Sequence, residues 1–135
     1  PRAESHATRP GAVVLVVDDQ EFVLRPVVRS LEMAGYAVLT ANNGRAALDV
    51  LHEQSVDVIV TDMIMPVMDG ATLIAQVRQR WPALPILVMT GYVEVAKEFP
   101  TGIPVLLKPF KPRELAYQID QLLAAAAATD SEAAS

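Results

Sequence analysis

Residues 13–19 read VVLVVDD, a continuous run of apolar, mostly β-branched side chains that ends in two aspartates. An apolar run without alternation is typical of a strand that is buried on both faces of a parallel sheet. In open sheets of this kind, ligands bind beyond the carboxyl ends of the strands. The stretch therefore predicts a parallel α/β fold and a functional edge that begins at Asp18 and Asp19.

Short apolar runs and helical patterns alternate along the rest of the chain. Further strands are predicted over Tyr36–Ala41, Val56–Thr61, Pro85–Thr90 and Pro104–Leu107. Helices are predicted over Phe22–Ala34, Gly44–Gln54 and Ala71–Trp81, with a last helix that begins near Pro112. This regular alternation predicts one α/β domain built on a doubly wound parallel sheet.

Composition and charge narrow the class of protein further. The chain has 135 residues, of which 52% are hydrophobic and 20% charged, as expected for a globular domain. It contains no cysteine, which excludes disulfides and thiolate metal sites and is compatible with a reducing cytoplasm. The net charge of -5 and the scattered basic residues argue against nucleic acid as a partner. No apolar stretch is long enough to predict a membrane span.

The two ends of the chain differ from its middle. Residues 1–11 lack the apolar segment of a signal peptide, so they are interpreted as linker from a longer parent chain or as residues added for expression. The folded domain is predicted over residues 12–127, including most of an alanine run that favours extension of the last helix. Residues 128–135 are predicted to be a disordered tail.

Reactive or metal-binding side chains lie at the ends of the predicted strands. Asp18 and Asp19 follow the first strand and Asp62 the third, while Thr90 ends the fourth and Lys108 follows the fifth. If the first and third strands are neighbours, about 4.8 Å apart, the three carboxylates crowd one small volume. Like charges so close resist joint ionisation unless a cation intervenes, and hard oxygen ligands suit Mg²⁺.

These residues can support phosphoryl transfer. Asp62 is placed as a nucleophile that forms an acyl phosphate. A metal ion would neutralise charge on the transferring group. Lys108 would contact one phosphoryl oxygen, and the hydroxyl of Thr90 would donate a hydrogen bond to another.

Four segments carry a resemblance to a known family. They are Val16-Val17-Asp18-Asp19, the stretch TDMIMPVMDG at residues 61–70, Met89-Thr90-Gly91 and Lys108-Pro109-Phe110. In this order and at these strand ends, they resemble the receiver domains of two-component response regulators over about residues 12–123. The resemblance implies a flavodoxin-like sheet of five strands in the order 2-1-3-4-5, flanked by five helices.

The resemblance also implies roles at the acidic edge. Asp62 would be the phosphoacceptor, and Asp18 and Asp19 the acidic pair. Asp18, Asp19 and Asp62 would all be metal ligands, with Asp19 the closer ligand of the pair. The backbone carbonyl of Ile64 would complete the protein ligands of Mg²⁺, for which Mn²⁺ can substitute. No organic cofactor is implied.

At the other strand ends, Thr90 would supply the switch hydroxyl, and Lys108 would be the lysine that receivers characteristically carry after the fifth strand. The bond between Lys108 and Pro109 would be cis. The chain departs from the family at Val105, because receivers commonly carry there an aromatic residue whose rotation reports phosphorylation. Any switch is therefore expected to use backbone movement around Thr90 and Gly91.

Two further departures concern the last third of the chain. Residues 91–103 are close to the minimum of about 10–12 residues for a parallel crossover, so the fourth helix is expected to be shortened to about two turns over Val93–Phe99. We expect this segment to be mobile and not to be the dimerisation face of many response regulators. Lys111 precedes Pro112 where Ser or Asp would cap the last helix, and the missing cap is expected to cost about 1 kcal/mol.

The function implied is phosphorelay signalling, in which Asp62 accepts a phosphoryl group from phosphohistidine and the domain changes conformation. The partner would be a histidine kinase or a histidine phosphotransfer domain. The isolated domain is not expected to be an enzyme, although it would catalyse its own phosphorylation and dephosphorylation. We expect a cytoplasmic monomer, free or tethered to a membrane-bound parent kinase, without direct contact to nucleic acid or membrane.

Several alternatives stay open. The shortened fourth helix and the run LKPFKPREL at residues 107–115 resemble receivers appended to hybrid sensor histidine kinases, with a stand-alone response regulator as the alternative. A Mg²⁺-dependent aspartyl-phosphate phosphatase is disfavoured, because Ile64 stands where such enzymes carry a general acid. A flavin or nucleotide binder is disfavoured by the acidic first loop, which would repel phosphate. A degenerate receiver used only for docking is disfavoured by the complete acidic set and Lys108.

Overall fold

The computed structural model describes residues 11–92 and 102–134. Its strands are β1 Val13–Val17, β2 Ala37–Ala41, β3 Val58–Asp62, β4 Ile86–Thr90 and β5 Val105–Leu107. Its helices within these ranges are α1 Glu21–Ala34, α2 Gly44–Glu53, α3 Gly70–Arg80 and α4 Pro112–Ala134. The predicted order of strands and helices is confirmed over this part of the chain, and the predicted helix over Val93–Phe99 lies outside it.

The strands form one parallel sheet in the order β2-β1-β3-β4-β5, as predicted. β1 lies between β2 and β3, with Val17 opposite Ala41 on one side and Thr61 on the other. At the far side of the sheet, the backbone N–H of Lys108 donates to the carbonyl of Thr90 at 2.7 Å, just beyond the end of β5. The carboxyl ends of β1, β3, β4 and β5 therefore meet at one edge.

The sheet separates two apolar cores. On one face, Val14 and Val16 pack in a cluster with side chains of α1 and α4. On the other face, Leu15 and Val17 pack with side chains of α2 and α3. Because these four side chains are fully buried, β1 is covered on both faces, which confirms the prediction made from its unbroken apolar run.

Local contacts fix the ends of three helices. α1 ends at Gly35, whose φ of 107° is left-handed and whose N–H donates to the carbonyl of Glu32. Asn43 is the N-cap of α2, and Asp69 is the N-cap of α3. The Asp69 carboxylate accepts the Thr72 N–H at 2.9 Å. Each of the two N-caps satisfies a backbone donor that the first helical turn leaves without a partner.

Replacing Asp69 with alanine is expected to lower the free energy of unfolding by about 1 kcal/mol at neutral pH. The hydrogen bond from the Thr72 backbone N–H holds the pKa of Asp69 below its usual range. A lowered folded-state pKa means that the stabilisation is complete above the unfolded pKa of about 3.9 and is lost as the pH falls through the folded value. Urea unfolding of both proteins at neutral and at acidic pH should show a difference that shrinks in acid.

The matched control for this prediction is Asp49→Ala, since Asp49 is an exposed residue within α2. That variant is expected to stay within about 0.5 kcal/mol of wild type. If the free energy of unfolding of Asp69→Ala stays below that of wild type by the same amount in acid, the ionised Asp69 carboxylate is not the cause of the difference.

The start of β3 differs from the sequence prediction, because the strand begins at Val58 and not at Val56. Asp57 accounts for the difference. Its N–H donates to the carbonyl of Val13 at 2.8 Å, and its carboxylate accepts the Val13 N–H at 2.7 Å. A side chain thus replaces a backbone carbonyl as the acceptor at this position, so the regular ladder begins only after Asp57, at Val58.

The last helix extends to Ala134, past residue 127, where the sequence places the end of the domain and the beginning of a disordered tail. The alanine run at residues 124–128 favours helix and leads into this extension. At the other end of this helix, the Glu114 side chain accepts the backbone N–H of Lys111 at 2.7 Å. This bond is one half of a capping box and compensates in part for the absence of a capping side chain at Lys111.

Candidate functional site

The three aspartates that follow β1 and end β3 lie together. Asp18, Asp19 and Asp62 each offer a carboxylate oxygen, and these oxygens lie within 4.8 Å of one another. The pairing of β1 with β3 produces this arrangement, since both strands end at the same edge. Asp18 is buried, Asp19 is exposed and Asp62 is intermediate. The structure therefore brings the predicted acidic residues into one cluster.

Asp18 is held by the protein from two sides. One carboxylate oxygen accepts the Gln20 N–H at 2.9 Å, which closes the turn into α1. The other oxygen lies 3.1 Å from the Lys108 ammonium. The Asp18 side chain is completely buried, so this ion pair joins β1 to the segment after β5 at the base of the site.

Asp62 lies at the centre of the cluster. One of its carboxylate oxygens accepts the Met63 backbone N–H at 2.8 Å, and the other lies 3.4 Å from the Lys108 ammonium. Burial raises the pKa of Asp62; the positive charge of Lys108 lowers it, the negative charge of Asp18 raises it, and the Met63 hydrogen bond lowers it. The net effect is a raised pKa, because Lys108 does not fully offset the burial and the repulsion between carboxylates.

Replacing Asp62 with asparagine is therefore expected to stabilise the metal-free protein at neutral pH. A raised folded-state pKa means that the ionised carboxylate opposes folding above that pKa. The gain should be largest at neutral pH, shrink as the pH falls through the raised pKa of Asp62, and vanish below the unfolded pKa of about 3.9. Thermal unfolding in EDTA across this pH range measures it. A variant that is less stable than wild type at neutral pH would contradict this balance of charges.

The residues at the ends of β4 and β5 complete the site. Thr90 is fully buried, and its hydroxyl oxygen accepts the Tyr92 N–H at 3.1 Å. The Lys108–Pro109 bond is cis, as the family resemblance implies. Ile64 is half exposed at the rim of the site. The structure thus places every predicted site residue at this one edge of the sheet.

A cleft of about 510 Å³ opens beside the cluster. Its lining combines predicted site residues with neighbours, namely Asp19, Gln20, Asp62, Ile64, Gly91, Tyr92 and Lys108. Sequence reasoning did not single out Gln20 or Tyr92. The available signal was position alone, since Gln20 follows the acidic pair directly and Tyr92 follows Thr90 by two residues.

The donor atoms of the cleft fit a hard divalent cation. The clustered ligand atoms are all carboxylate oxygens, which Mg²⁺ prefers and which thiolate-seeking metals do not. Asp18 is already bound to Lys108 and to the turn into α1, whereas Asp19 and Asp62 both line the cleft. Asp19 and Asp62 are therefore the carboxylates best placed to meet an ion from solvent.

Together, the fold and this edge define a class: a doubly wound α/β domain with an acidic pocket and one lysine at the carboxyl ends of its parallel strands. Residues 14–120 match the family model described as response regulator receiver domain. The chain belongs to this family. It is a signalling domain without a classical catalytic role, and it takes part in two-component phosphorelay signalling.

Two curated relatives from Brucella abortus (strain 2308) show how such domains are used. The chain is 36% identical to the sensor kinase CckA over 121 residues, which is 84% of this chain but only 13% of the kinase. It is also 36% identical to the response regulator receiver protein CpdR over 117 residues, which is 84% of this chain and 98% of CpdR. Receivers similar to this chain therefore occur both within a much longer kinase and as nearly whole proteins.

Solved structures of receivers have the same architecture. The chemotaxis response regulator CheY4 of Vibrio cholerae is 35% identical, with a TM-score of 0.77 over 84% of this chain and 99% of CheY4. The response regulator TrrA of Thermotoga maritima, solved in complex with Mg²⁺ and BeF, is 25% identical, with a TM-score of 0.77 over 83% of this chain and 99% of TrrA. In the part of the present chain that the structure describes, no helix is both long and apolar enough to cross a membrane.

Proposed function

We propose that Asp62 is the phosphoacceptor and that it takes a phosphoryl group from a phosphohistidine. The observation that carries this proposal is the position of the Asp62 carboxylate. It lies within 4.8 Å of two further carboxylates and 3.4 Å from the Lys108 ammonium, and it lines an open cleft. A carboxylate nucleophile needs these features: access for the donor, and positive charge for the transferred group.

In the transfer, an oxygen of the Asp62 carboxylate forms a bond to phosphorus while the bond from phosphorus to the donor imidazole breaks. The Lys108 ammonium already faces Asp62, so it would form an ion pair with a phosphoryl oxygen once the phosphoryl group is bound to that carboxylate. Bound Mg²⁺, held by Asp19, Asp62 and the backbone carbonyl of Ile64, would neutralise negative charge on the phosphoryl group. Asp18 would keep Lys108 in place through their buried ion pair.

Phosphorylation would be sensed at the end of β4. The Thr90 hydroxyl is buried, with its oxygen used as the acceptor of the Tyr92 N–H. Donation of its hydrogen to a phosphoryl oxygen would reorient the hydroxyl and alter that bond. Because Val105 stands where receivers commonly carry an aromatic residue, we propose that backbone movement around Thr90 and Gly91 reports the change.

We propose that the phosphoryl donor is a histidine kinase or a histidine phosphotransfer domain in the cytoplasm. The receiver domain, predicted over residues 12–127 and with a last helix that runs on to Ala134, would act as a monomer, and it would promote its own phosphorylation and dephosphorylation. A receiver attached to a hybrid kinase is favoured by the likeness to CckA, and a stand-alone regulator by the likeness to nearly all of CpdR. The Mg²⁺–BeF complex of TrrA supports a role for Mg²⁺, for which Mn²⁺ would substitute.

The test is incubation of the whole chain with acetyl phosphate, with Mg²⁺ or with EDTA, followed by intact-mass measurement. With Mg²⁺ we expect the mass of one added phosphoryl group, which hydroxylamine removes because it attacks acyl phosphates. EDTA should suppress the adduct. An adduct that forms equally well in EDTA, or that survives hydroxylamine, would rule out a metal-assisted acyl phosphate.

A further inference from the structure

The segment that links the phosphoacceptor to α3, residues 63–69, is referred to below as the acceptor loop. It is held at its start by the Gly70 N–H, which donates to the carbonyl of Met63 at 2.8 Å. Near its end, the Met68 N–H donates to the carbonyl of Pro66 at 2.7 Å, and Val67 between them has a φ of 70°. This is a γ-turn with positive φ, a rare and strained conformation for a β-branched residue.

A strained turn persists only where the surrounding structure imposes it. Val67 is exposed, so its own side chain does not supply the constraint. The constraint must come from the two ends of the acceptor loop. One end is anchored at Met63 by Gly70, and the other contacts the beginning of α2.

Gly44, the first residue of α2, makes this second contact. Its N–H donates to the carbonyl of Met68 at 3.3 Å. A Cβ atom at position 44 would lie 2.8 Å from the Met68 Cγ, 2.9 Å from its Cβ and 2.9 Å from its carbonyl oxygen. Only glycine therefore allows α2 to approach the acceptor loop this closely.

A short path connects this contact to the reactive carboxylate. Met68 is followed by the N-cap Asp69 and by Gly70, which holds the Met63 carbonyl. The Met63 N–H in turn donates to an Asp62 carboxylate oxygen at 2.8 Å. A shift of Met68 would therefore reach the Met63 N–H, the group that orients Asp62, through these neighbouring residues and hydrogen bonds.

We propose that Gly44 is a positioning residue for the phosphoacceptor. It seats the acceptor loop on the N-terminus of α2, and the loop fixes the orientation of Asp62 and the location of Ile64 at the rim of the cleft. The inference rests on the proposed function of Asp62, but the contact itself can be tested without phosphorylation. Gly44 lies on a helix that contributes none of the predicted site residues.

The test compares wild type with Gly44→Ala in three measurements on the folded whole chain. The first is the NMR shift of the Met63 amide in the metal-free state, which should change because its hydrogen bond to Asp62 changes. The second is Mg²⁺ affinity by calorimetric titration, and the third is the rate of phosphorylation by acetyl phosphate. Affinity and rate are each expected to fall about 10-fold, as is typical when a group that orients a metal ligand is altered.

Two further variants separate positioning from general loss of stability. Leu51→Ala opens a cavity under the C-terminal half of the same helix and should leave all three measurements unchanged while the protein is folded. The double variant Gly44→Ala/Met68→Gly removes the Met68 Cβ and Cγ, two of the three atoms that a Cβ at position 44 would meet. It should therefore recover part of the lost Mg²⁺ affinity relative to Gly44→Ala.

The proposal is overturned if Gly44→Ala keeps the wild-type Met63 amide shift, Mg²⁺ affinity and phosphorylation rate. It is also overturned if Gly44→Ala and Leu51→Ala lose Mg²⁺ affinity and phosphorylation rate to the same extent. If Gly44→Ala does not fold, the double variant is compared with Met68→Gly alone. A Cβ at position 44 would still meet the carbonyl oxygen of residue 68, so the double variant should bind Mg²⁺ more weakly, and equal affinities would overturn the proposal as well. Failure of wild type to form an acyl phosphate would refute the proposed function of Asp62. In that case, the Met63 amide shift still decides whether Gly44 positions the acceptor loop.

Discussion

Asp62→Asn is expected to reduce phosphoryl labelling from acetyl phosphate to background, a loss on the order of 100-fold or more, because the amide cannot replace the carboxylate as nucleophile. Intact-mass measurement after incubation with Mg²⁺ gives the result directly. Partial labelling would mean that another side chain accepts the phosphoryl group. Peptide mapping of that residue would then identify the acceptor.

The interpretation of this loss depends on the folded state of the variant. Removal of the charge at Asp62 is expected to stabilise the metal-free chain, since burial and Asp18 raise the pKa of this carboxyl. Once thermal unfolding shows this gain in stability, a loss of labelling cannot be attributed to unfolding. Asp49→Asn, on the exposed surface of α2, is the matched control and should be labelled like wild type. Equal labelling of Asp62→Asn and Asp49→Asn would reject Asp62 as the acceptor.

Gly70→Ala is expected to produce the largest loss of stability among single methyl additions at the site. A Cβ at position 70 would lie 2.5 Å from the Asp62 carbonyl oxygen and 2.7 Å from the Met63 Cα. Both atoms belong to the backbone, so no side-chain rotation can relieve the clash. The hydrogen bond from the Gly70 N–H to the Met63 carbonyl would be strained as well. We expect a decrease of about 2–3 kcal/mol in the free energy of unfolding, measured by urea denaturation.

The chain offers a control for this substitution at another glycine of the same edge. Gly91 lines the cleft, but a Cβ built on it has no atom of the described residues within 4 Å, and its φ is not in the left-handed region. Gly91→Ala is therefore expected to change stability by no more than about 0.5 kcal/mol. If Gly70→Ala lowers the free energy of unfolding no more than Gly91→Ala does, the turn after β3 can move far enough to accommodate a methyl group.

The sheet and the location of the site could be predicted because both depend on local pattern. A run such as Val13–Val17 shows burial on two faces without knowledge of its neighbours. Side chains such as Asp62 and Lys108, which follow or end a strand, must then fall at the carboxyl edge of a parallel sheet. Strand order 2-1-3-4-5 came from the family resemblance, and the four strand pairings confirm it.

Contacts between distant residues could not be predicted in the same way. The hydrogen bonds between Asp57 and Val13 delay the start of β3, and no pattern near Val56 indicates them. The proximity of Gly44 to Met68 depends on how α2 packs against the acceptor loop. The bond from Lys111 to Glu114 is different, since it is local and has a recognisable spacing. A Glu three residues after the N-cap is typical of a capping box, so the sequence could have predicted this bond, whereas the search for a capping side chain at position 111 did not.

The ion pair between Asp18 and Lys108 has a consequence for biosynthesis, because its partners are 90 positions apart in the chain. A nascent polypeptide presents Asp18, Asp19 and Asp62 long before Lys108, whose ammonium contacts Asp18 and Asp62 in the folded domain, leaves the ribosome. Until then, mutual repulsion opposes closure of the edge where they meet. Competence to receive a signal would therefore arise late in translation, and a truncated product that ends before Lys108 would lack it.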